Sequence, residues 1–265
     1  MKSNKKIKVA VVGVGNCFSA LYQGFGYYSI HKAGSVSGIM FEDIGGYKPT
    51  DIEVVAAFDV DKRKVGKHLN EAIFQLPNCA RVFYPNVDKG PKVQMGQVLD
   101  GVSDYMLEQP EEVGFRIAKE KSVDVVKVLK DSKADILINY LPVGSQKATE
   151  FYAQCAIDAG VAFLNCIPVF IASNPEWEKK FIKAKLPIIG DDMRSALGAS
   201  ILSQVLQELA FDRGFVVDFH QQLNVGGNTD FNNMMVQSRL KFKKISKENV
   251  IRSQNDIRGI EVPKD

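Results

Sequence analysis

Residues Ile7–Ser19 read IKVAVVGVGNCFS, and this stretch decides the fold. The β-branched run that ends at Val12 predicts a buried strand of a parallel sheet. Gly13 and Gly15 follow immediately, and apolar residues at helical spacing begin at Phe18. A strand, a glycine turn and a helix N-terminus form the phosphate cradle of dinucleotide-binding folds. Because Phe18 stands where GxGxxG has its third glycine, an ordinary strand-to-helix turn is the alternative.

The second predicted strand, Glu53–Phe58, is followed directly by an acidic residue, Asp59. A carboxylate at that strand tip accepts hydrogen bonds from both ribose hydroxyls of NAD and repels the 2′-phosphate of NADP. The usual gap between the glycines and this acid is about 20 residues. Here the gap is longer, because residues 27–49 form an insertion rich in Gly, Ser and Tyr. The pattern predicts NAD as the cofactor.

The composition excludes several classes of protein. Lys and Arg number 34 against 31 Asp and Glu, a net charge of +3, which is too balanced for a nucleic-acid or membrane surface as partner. No stretch approaches the length of a membrane span, and no signal-peptide core precedes Ile7. The four cysteines lack CxxC pairing, and the three histidines lie far apart, so no metal site is expected. We expect a cytoplasmic protein with three of its cysteines in the core.

Strands and helices are predicted to alternate over about the first 190 residues. Further strands are predicted at 134–140, 161–167 and 186–189, helices at 61–72, 110–131, 146–160 and 174–183, and an irregular excursion at 74–101. This alternation predicts an α/β fold with a doubly wound, Rossmann-like parallel sheet, whose ligands lie beyond the carboxyl ends of the strands. Asn, Asp, Ser and Gly follow all five strand ends, which is more than turn chemistry alone explains.

The pattern changes after residue 195, so we divide the chain into domains 1–195 and 196–265. An apolar helix is predicted at 199–209, and residues 215–225 alternate like an antiparallel strand. A polar segment, 228–233, then precedes a lysine run, 241–247. Amides, a carboxylate and lysines suit an anionic, hydroxylated ligand, and a buried lysine suits proton abstraction next to a carbonyl. A polar loop before a solvated lysine face is the alternative.

Seven segments, in this order along the chain, resemble the myo-inositol-1-phosphate synthase family. They are VGVGNCFSAL, QGFGYY, NYLPVGS, NCIPVFIAS, GDDMRSALGAS, NVGGNTDFNNM and KFKKISK. The resemblance covers essentially the whole chain and is closest to the compact bacterial and archaeal members. The sequence ends at Asp265, before the usual end of the family. The resemblance therefore implies that later sheet strands and further lysines lie outside these residues, which alone should cyclise little substrate.

The resemblance implies an NAD-dependent isomerase that converts D-glucose 6-phosphate to 1L-myo-inositol 1-phosphate. The implied route is oxidation, enolisation, intramolecular aldol cyclisation and reduction, in a homotetramer that serves inositol and phospholipid biosynthesis. Domain 196–265 is then the start of an α+β catalytic and oligomerisation domain. The implied cofactor residues are Gly13, Val14, Gly15, Asn16, Cys17, Asp59, Pro142, Gly144, Ser145, Asp191 and Ser195. The implied catalytic residues are Asn228, Asp230 and Asn233, which face the sugar phosphate, with Lys243 and Lys247 as charge stabilisers or acid–base groups.

Two other functions fit the same nucleotide half. One is an NAD-dependent dehydrogenase of another small substrate, and the other is a non-catalytic NAD-binding fragment. A synthase regenerates its NAD and accumulates no NADH, which separates it from a dehydrogenase. The family commonly has lysine at the position of Arg194, so the role of that position is open.

Overall fold

One parallel sheet of six strands organises the protein. The computed structural model describes residues 6–30, 38–193, 195, 197–223, 225–226, 228–236, 238–239, 244–245, 247, 249 and 252. The strands are β1 (Ile7–Val12), β2 (Ile52–Asp59), β3 (Val93–Met95), β4 (Ile136–Asn139), β5 (Ala162–Asn165) and β6 (Ile188–Ile189). Their order in the sheet is β3-β2-β1-β4-β5-β6, and every neighbouring pair is parallel. This order confirms the predicted Rossmann-like fold, with its switch point between β1 and β4.

Eight α-helices accompany the sheet within the described ranges. They are α1 (Asn16–Ser29), α2 (Leu69–Ala72), α3 (Asp104–Glu108), α4 (Val125–Asp131), α5 (Gln146–Ala159), α6 (Pro175–Ala184), α7 (Ala199–Asp212) and α8 (Thr229–Asn233). None of these helices is long and apolar enough to cross a membrane.

Both faces of the central strand β1 are buried. Ala10 and Val12 belong to the apolar cluster that α4, α5 and α6 cover, whereas Val11 belongs to the cluster that includes Phe18 of α1. A strand covered on both faces needs apolar side chains at every position rather than at alternate ones. This is why β1 is continuously apolar from Val9 to Val12, and why its boundaries agree with the prediction.

Two predicted helices are mostly non-helical because tertiary hydrogen bonds use their backbone groups. Only residues 69–72 of the predicted helix 61–72 are α-helical, since the chain turns around the buried carboxylate of Asp61, which binds the Arg63 side chain. Of the predicted helix 110–131, only 125–131 is helical. The N–H of Ala118 donates to Val60 and that of Val123 to Met95, so this stretch runs along the sheet edge. Strand β3, only three residues long, lies in the stretch predicted to be irregular.

The predicted antiparallel strand at 215–225 is also absent from the described residues. Residues 215–223 contain neither helix nor strand, and Phe215 and Val216 are 68% and 82% exposed. An alternating segment becomes a strand only when a second strand pairs with its backbone. No such partner lies in the part of the chain that the structure describes, and the boundary between domains 1–195 and 196–265 stays a prediction.

We predict that Phe163→Ala lowers the free energy of unfolding by about 3–5 kcal/mol. Phe163 is 1% exposed and stacks on Phe181 with the ring centroids 6.3 Å apart, so truncation leaves a cavity between β5 and α6. The control is Phe41→Ala, which removes a ring that is 66% exposed and should cost less than about 0.5 kcal/mol. Urea unfolding measures both. Equal losses would contradict this description of the core.

Candidate functional site

The glycine turn after β1 is pressed against the tips of the two neighbouring strands. The N–H of Gly13 donates to the carbonyl oxygen of Phe58 at 2.9 Å. Gly13 has φ +90°, and a Cβ at this position would lie 2.5 Å from the carbonyl oxygen of Tyr140. Both the backbone conformation and the close approach exclude a side chain. The turn therefore has one tightly determined position at the carboxyl edge of the sheet.

Open space lies on the other side of the same turn. A Cβ built on Gly15 would meet no heavy atom within 4 Å. Gly15 is also the N-cap residue of the 14-residue helix α1, and no side chain caps this helix. Unsatisfied N–H groups and the helix dipole make such an N-terminus attractive to anions. Backbone donors and an open approach therefore coincide at Gly15, which suits a pyrophosphate.

The carboxylate of Asp59 holds the turn from the tip of β2. Its Oδ2 accepts a hydrogen bond from the N–H of Val14 at 2.8 Å, and its Oδ1 accepts from Val60 and Asp61 at 2.7 and 2.9 Å. The buried ammonium group of Lys64 lies 3.8 Å from Oδ2. Since a carboxylate offers about four acceptor positions, one position is left after these three N–H donors. Asp59 both anchors the turn and can accept a ligand hydroxyl.

A loop that the sequence analysis left without a role, residues 77–80, is fixed beside the glycine turn. Asn16 Oδ1 accepts from the N–H groups of Cys79 and Ala80 at 2.7 and 2.9 Å. In the other direction, Asn78 Nδ2 donates to the carbonyl oxygen of Val14 at 3.1 Å. The two asparagines thus clamp the loop against the turn. Asn78 lies in a stretch of sequence without helical or strand periodicity. The only local signal is the preceding proline, which is typical of a turn.

Buried polar side chains connect the tips of β4, β5 and β6. Asn139 Nδ2 donates to Asn165 Oδ1 at 2.9 Å, and Asn165 Nδ2 donates to Asp191 Oδ1 at 2.7 Å. Both asparagines are at most 1% exposed. Asp191 also accepts the backbone N–H groups of Ile171, Ala172 and Ser173 and the Ser173 hydroxyl. Five donors therefore occupy the Asp191 carboxylate, which holds this half of the edge together.

Residues 173–176, Ser-Asn-Pro-Glu, have the sequence of a capping box with proline in the first turn, but the cap of α6 takes a different form. Asn174, not Ser173, is the N-cap, and its side chain accepts from the N–H of Glu176 at 2.9 Å. Ser173 instead donates its hydroxyl to Asp191. The proline at the first helical position is where the sequence predicted it.

The polar segment of the second predicted domain lies at this same edge. Asn228 caps α8, because its Oδ1 accepts a hydrogen bond from the backbone N–H of Phe231 at 3.0 Å. The hydroxyl of Thr229 donates to the carbonyl oxygen of Pro77 at 3.0 Å, and Asn233 Nδ2 donates to that of Val143 at 3.0 Å. The segment therefore contacts both the loop beside the glycine turn and the loop that follows β4. Residues more than 200 positions apart in sequence are brought to one site.

Comparison with known proteins identifies the family. Residues 198–261 match the family model described as myo-inositol-1-phosphate synthase. The chain is 47% identical to the inositol-3-phosphate synthase of Mycobacterium tuberculosis, over 95% of this chain and 68% of that protein. The chain belongs to the inositol-3-phosphate synthase family. This confirms the resemblance found in the seven sequence segments, and it makes the protein a member of an enzyme family.

Solved structures agree with the family membership. A crystal structure of a protein named Ari2 has a TM-score of 0.74 and 36% identity, covering 88% of this chain and 68% of that one. A myo-inositol-1-phosphate synthase-related protein from Thermotoga maritima has a TM-score of 0.70 and 25% identity, covering 97% and 72% of the two chains. The fold is therefore shared with solved structures, one of which is named as related to myo-inositol-1-phosphate synthase.

The other residues that the family resemblance implies for the site differ in their burial. Ser145 is buried and its hydroxyl donates to the carbonyl oxygen of Pro142, which closes the loop after β4. Ser195 is exposed and Lys247 is half-buried. Lys243, together with Arg194, lies outside the described residues. Asp230 is half-buried in α8.

Two of the cysteines are exposed, so the expectation of three core cysteines is wrong. Cys155 and Cys166 are buried, whereas Cys17 and Cys79 are exposed. On α1 the side chain of Phe18 faces the sheet, and the preceding position is rotated by about 100° away from it. Burial raises the pKa of Cys166 to about 11, so this thiol, hydrogen-bonded to Tyr140, is uncharged at neutral pH. Among the described residues, no group of His, Cys, Asp and Glu could hold a metal ion.

We predict that Gly13→Ala lowers the free energy of unfolding by at least about 1–2 kcal/mol. The substitution places a Cβ in the left-handed region and against the Tyr140 carbonyl. Gly15→Ala is the matched control two positions on, where φ is −93° and the added Cβ meets open space. Its stability should change by less than about 1 kcal/mol. Urea unfolding that ranks the two variants in the opposite order would contradict the described turn.

Proposed function

We propose that the protein is an NAD-dependent inositol-3-phosphate synthase that converts D-glucose 6-phosphate to 1L-myo-inositol 1-phosphate. The observation that carries the proposal is the contact of the polar segment with the dinucleotide edge, through Asn233 and Val143 at 3.0 Å. A cofactor site and a sugar-phosphate site must adjoin for hydride transfer between them. The identity of 47% to the inositol-3-phosphate synthase of Mycobacterium tuberculosis supports the same activity.

The glycine turn fits NAD. The open approach above Gly15 and the α1 N-terminus without a side-chain cap suit the pyrophosphate, and Asp59 has an acceptor position for a ribose hydroxyl. When bound, NAD would supply redox chemistry by taking a hydride from a carbon that bears a hydroxyl group and later returning it. The residues proposed to hold it are Gly13, Val14, Gly15, Asn16, Cys17 and Asp59, with Pro142, Gly144, Ser145 and Ser195 for the remainder. Because five donors fill the carboxylate of Asp191, we assign that residue to holding the edge.

We propose NAD rather than NADP because Asp59 carries a negative charge where the adenosine ribose is expected. A 2′-phosphate at that position would have a carboxylate as neighbour. The nearby side chain of Lys64 is 4% exposed, and its ammonium group donates to Asn78 Oδ1 at 2.9 Å, so it is turned into the protein rather than toward a ligand. Lys64 is therefore not positioned to bind a 2′-phosphate, which would be repelled by the Asp59 carboxylate.

The sugar phosphate is proposed to lie against α8 and the lysine run. The amides of Asn228 and Asn233 and the carboxylate of Asp230 suit hydroxyl groups as donors and acceptors. Removal of a proton from a carbon next to a carbonyl places negative charge on the carbonyl oxygen. An ammonium group stabilises that charge, and this is the role proposed for Lys243 and Lys247.

The homotetramer and the cytoplasmic location implied by the resemblance are further parts of this proposal. Helix α7 supports the proposed tetramer, because polar side chains lie on its buried side and apolar side chains on its exposed side. Ser203 donates to Gln222 at 3.0 Å on its buried side. Leu202 and Leu206 on its outer side are 55% and 56% exposed. An apolar helix face of this kind is typical of an interaction surface.

We predict that the full-length protein, given D-glucose 6-phosphate and NAD, forms inositol phosphate without net NADH. Product is measured by mass spectrometry and NADH by its absorbance. Accumulation of NADH in proportion to the substrate consumed would identify a dehydrogenase and contradict the proposal. Binding of NAD without consumption of glucose 6-phosphate would contradict it in favour of a non-catalytic NAD-binding protein.

We also predict that Gly15→Ala weakens NAD binding about tenfold while the fold persists, because the added methyl group occupies the space proposed for the pyrophosphate. A tenfold change corresponds to about 1.4 kcal/mol of binding free energy. The matched control is Gly24→Ala in the same helix, where the nearest atom to the added Cβ is 3.7 Å away. Calorimetric titration with NAD should find the control at the wild-type affinity. If Gly15→Ala binds NAD with wild-type affinity, the proposed position of the pyrophosphate at Gly15 is wrong.

A further inference from the structure

Arg239 is a buried cation in the segment that follows α8. Its side chain is 7% exposed, and burial lowers the pKa of its guanidinium. The guanidinium donates to the carbonyl oxygen of Val143 at 2.9 Å and to that of Asp100. Burying a charged group is costly unless hydrogen bonds replace its water. Arginine suits such a position because its planar guanidinium donates several hydrogen bonds in fixed directions.

The stem of Arg239 also packs on the loop after β4. A Cβ on Gly144 would lie 2.6 Å from Arg239 Cγ and 2.9 Å from its Cα. Gly144 has φ +87°, a conformation that favours glycine. The loop backbone and the arginine are therefore in direct contact along the stem as well as at the guanidinium. A side chain at position 144 would therefore have no room beside the arginine stem.

Asp100 connects the same arginine to helix α5. While its carbonyl oxygen accepts from Arg239, its carboxylate accepts the N–H groups of Lys147 and Ala148 at 2.8 and 2.9 Å. These are first-turn N–H groups of α5, which has no cap from the Ser145 side chain. Arg239 therefore contacts both the loop after β4 and the residue that caps the following helix.

We infer that Arg239 is a positioning residue that fixes the loop Pro142–Ser145 relative to the polar segment 228–233. The inference rests on the proposed function, in which the loop holds the cofactor and the segment faces the sugar phosphate. Asn233 and Arg239 donate to the same oxygen, that of Val143, from the segment side. Displacements of about 1 Å between reacting groups cost on the order of a hundredfold in rate. The reaction rate is therefore more sensitive to Arg239 than stability is.

The test is Arg239→Lys, which keeps the charge and the stem but not the planar fork that reaches two carbonyl oxygens. We expect about tenfold weaker NAD binding and a kcat lowered about a hundredfold, with the KM for glucose 6-phosphate changed less than kcat. Arg239→Gln, which carries no charge to bury, repeats the test if the lysine variant does not fold. Calorimetry, steady-state kinetics and thermal unfolding are measured on the full-length protein.

The matched control is Arg116→Lys. Arg116 donates to the backbone carbonyl oxygens of Leu107, Gln109 and Phe115, so it makes the same kind of contact away from the loop. Its NAD affinity and kcat should stay within twofold of wild type. The inference is overturned if the folded Arg239 variants also stay within twofold, or if Arg116→Lys loses as much. If no inositol phosphate forms but the Arg239 variants still bind NAD more weakly, the proposed function fails and the positioning of the loop stands.

Discussion

The hydrogen bond of 2.8 Å from the N–H of Val14 to the carboxylate of Asp59 fixes the glycine turn on the tip of β2. On the opposite side, Gly13 lies against the carbonyl oxygen of Tyr140 at the tip of β4. The turn is thus held between both neighbours of β1, and the start of α1 follows from its position. Because Asn78 then bonds to Val14, the loop beside the turn depends on the same anchor. The glycine turn and the loop beside it are consequently fixed on the carboxyl edge of the sheet.

The polar residues at the strand tips divide into two kinds. Those at β4, β5 and β6 hydrogen-bond to one another, as the pair Asn139 and Asn165 shows, and they hold the edge together. Those at β1 and β2 leave open space above Gly15 and an acceptor position on Asp59. The polar segment 228–233 contacts both sides, through Thr229 at the loop beside the glycine turn and through Asn233 at the loop after β4. The two kinds meet at the switch point of the sheet, between β1 and β4, where doubly wound folds bind ligands.

The parts of this structure that could be predicted from the sequence are those whose conformation is determined by residues close together in the chain. Strand β1 and its glycine turn have a periodicity and a turn chemistry of their own, and Asp59, the last residue of β2, was predicted from its place at a strand end. Asn78 and Arg239 escaped notice because their roles come from partners distant in sequence, and no spacing rule reveals such partners. The predicted helix at 110–131 is largely absent for the same reason, since backbone bonds such as that from Ala118 to Val60 replaced the helical ones.

We propose that the dinucleotide lies at the carboxyl edge of the sheet, over Gly15 and beside Asp59. A crystal structure of the full-length protein with NAD tests this most directly. We expect the pyrophosphate to accept hydrogen bonds from the N–H groups at the start of α1, and a ribose hydroxyl to donate to the Asp59 carboxylate. The protein also has a cavity of about 510 Å³ at the opposite edge, lined by Lys6, Tyr22 and Ser132. Electron density for the dinucleotide in that cavity, with the glycine turn empty, would contradict the account.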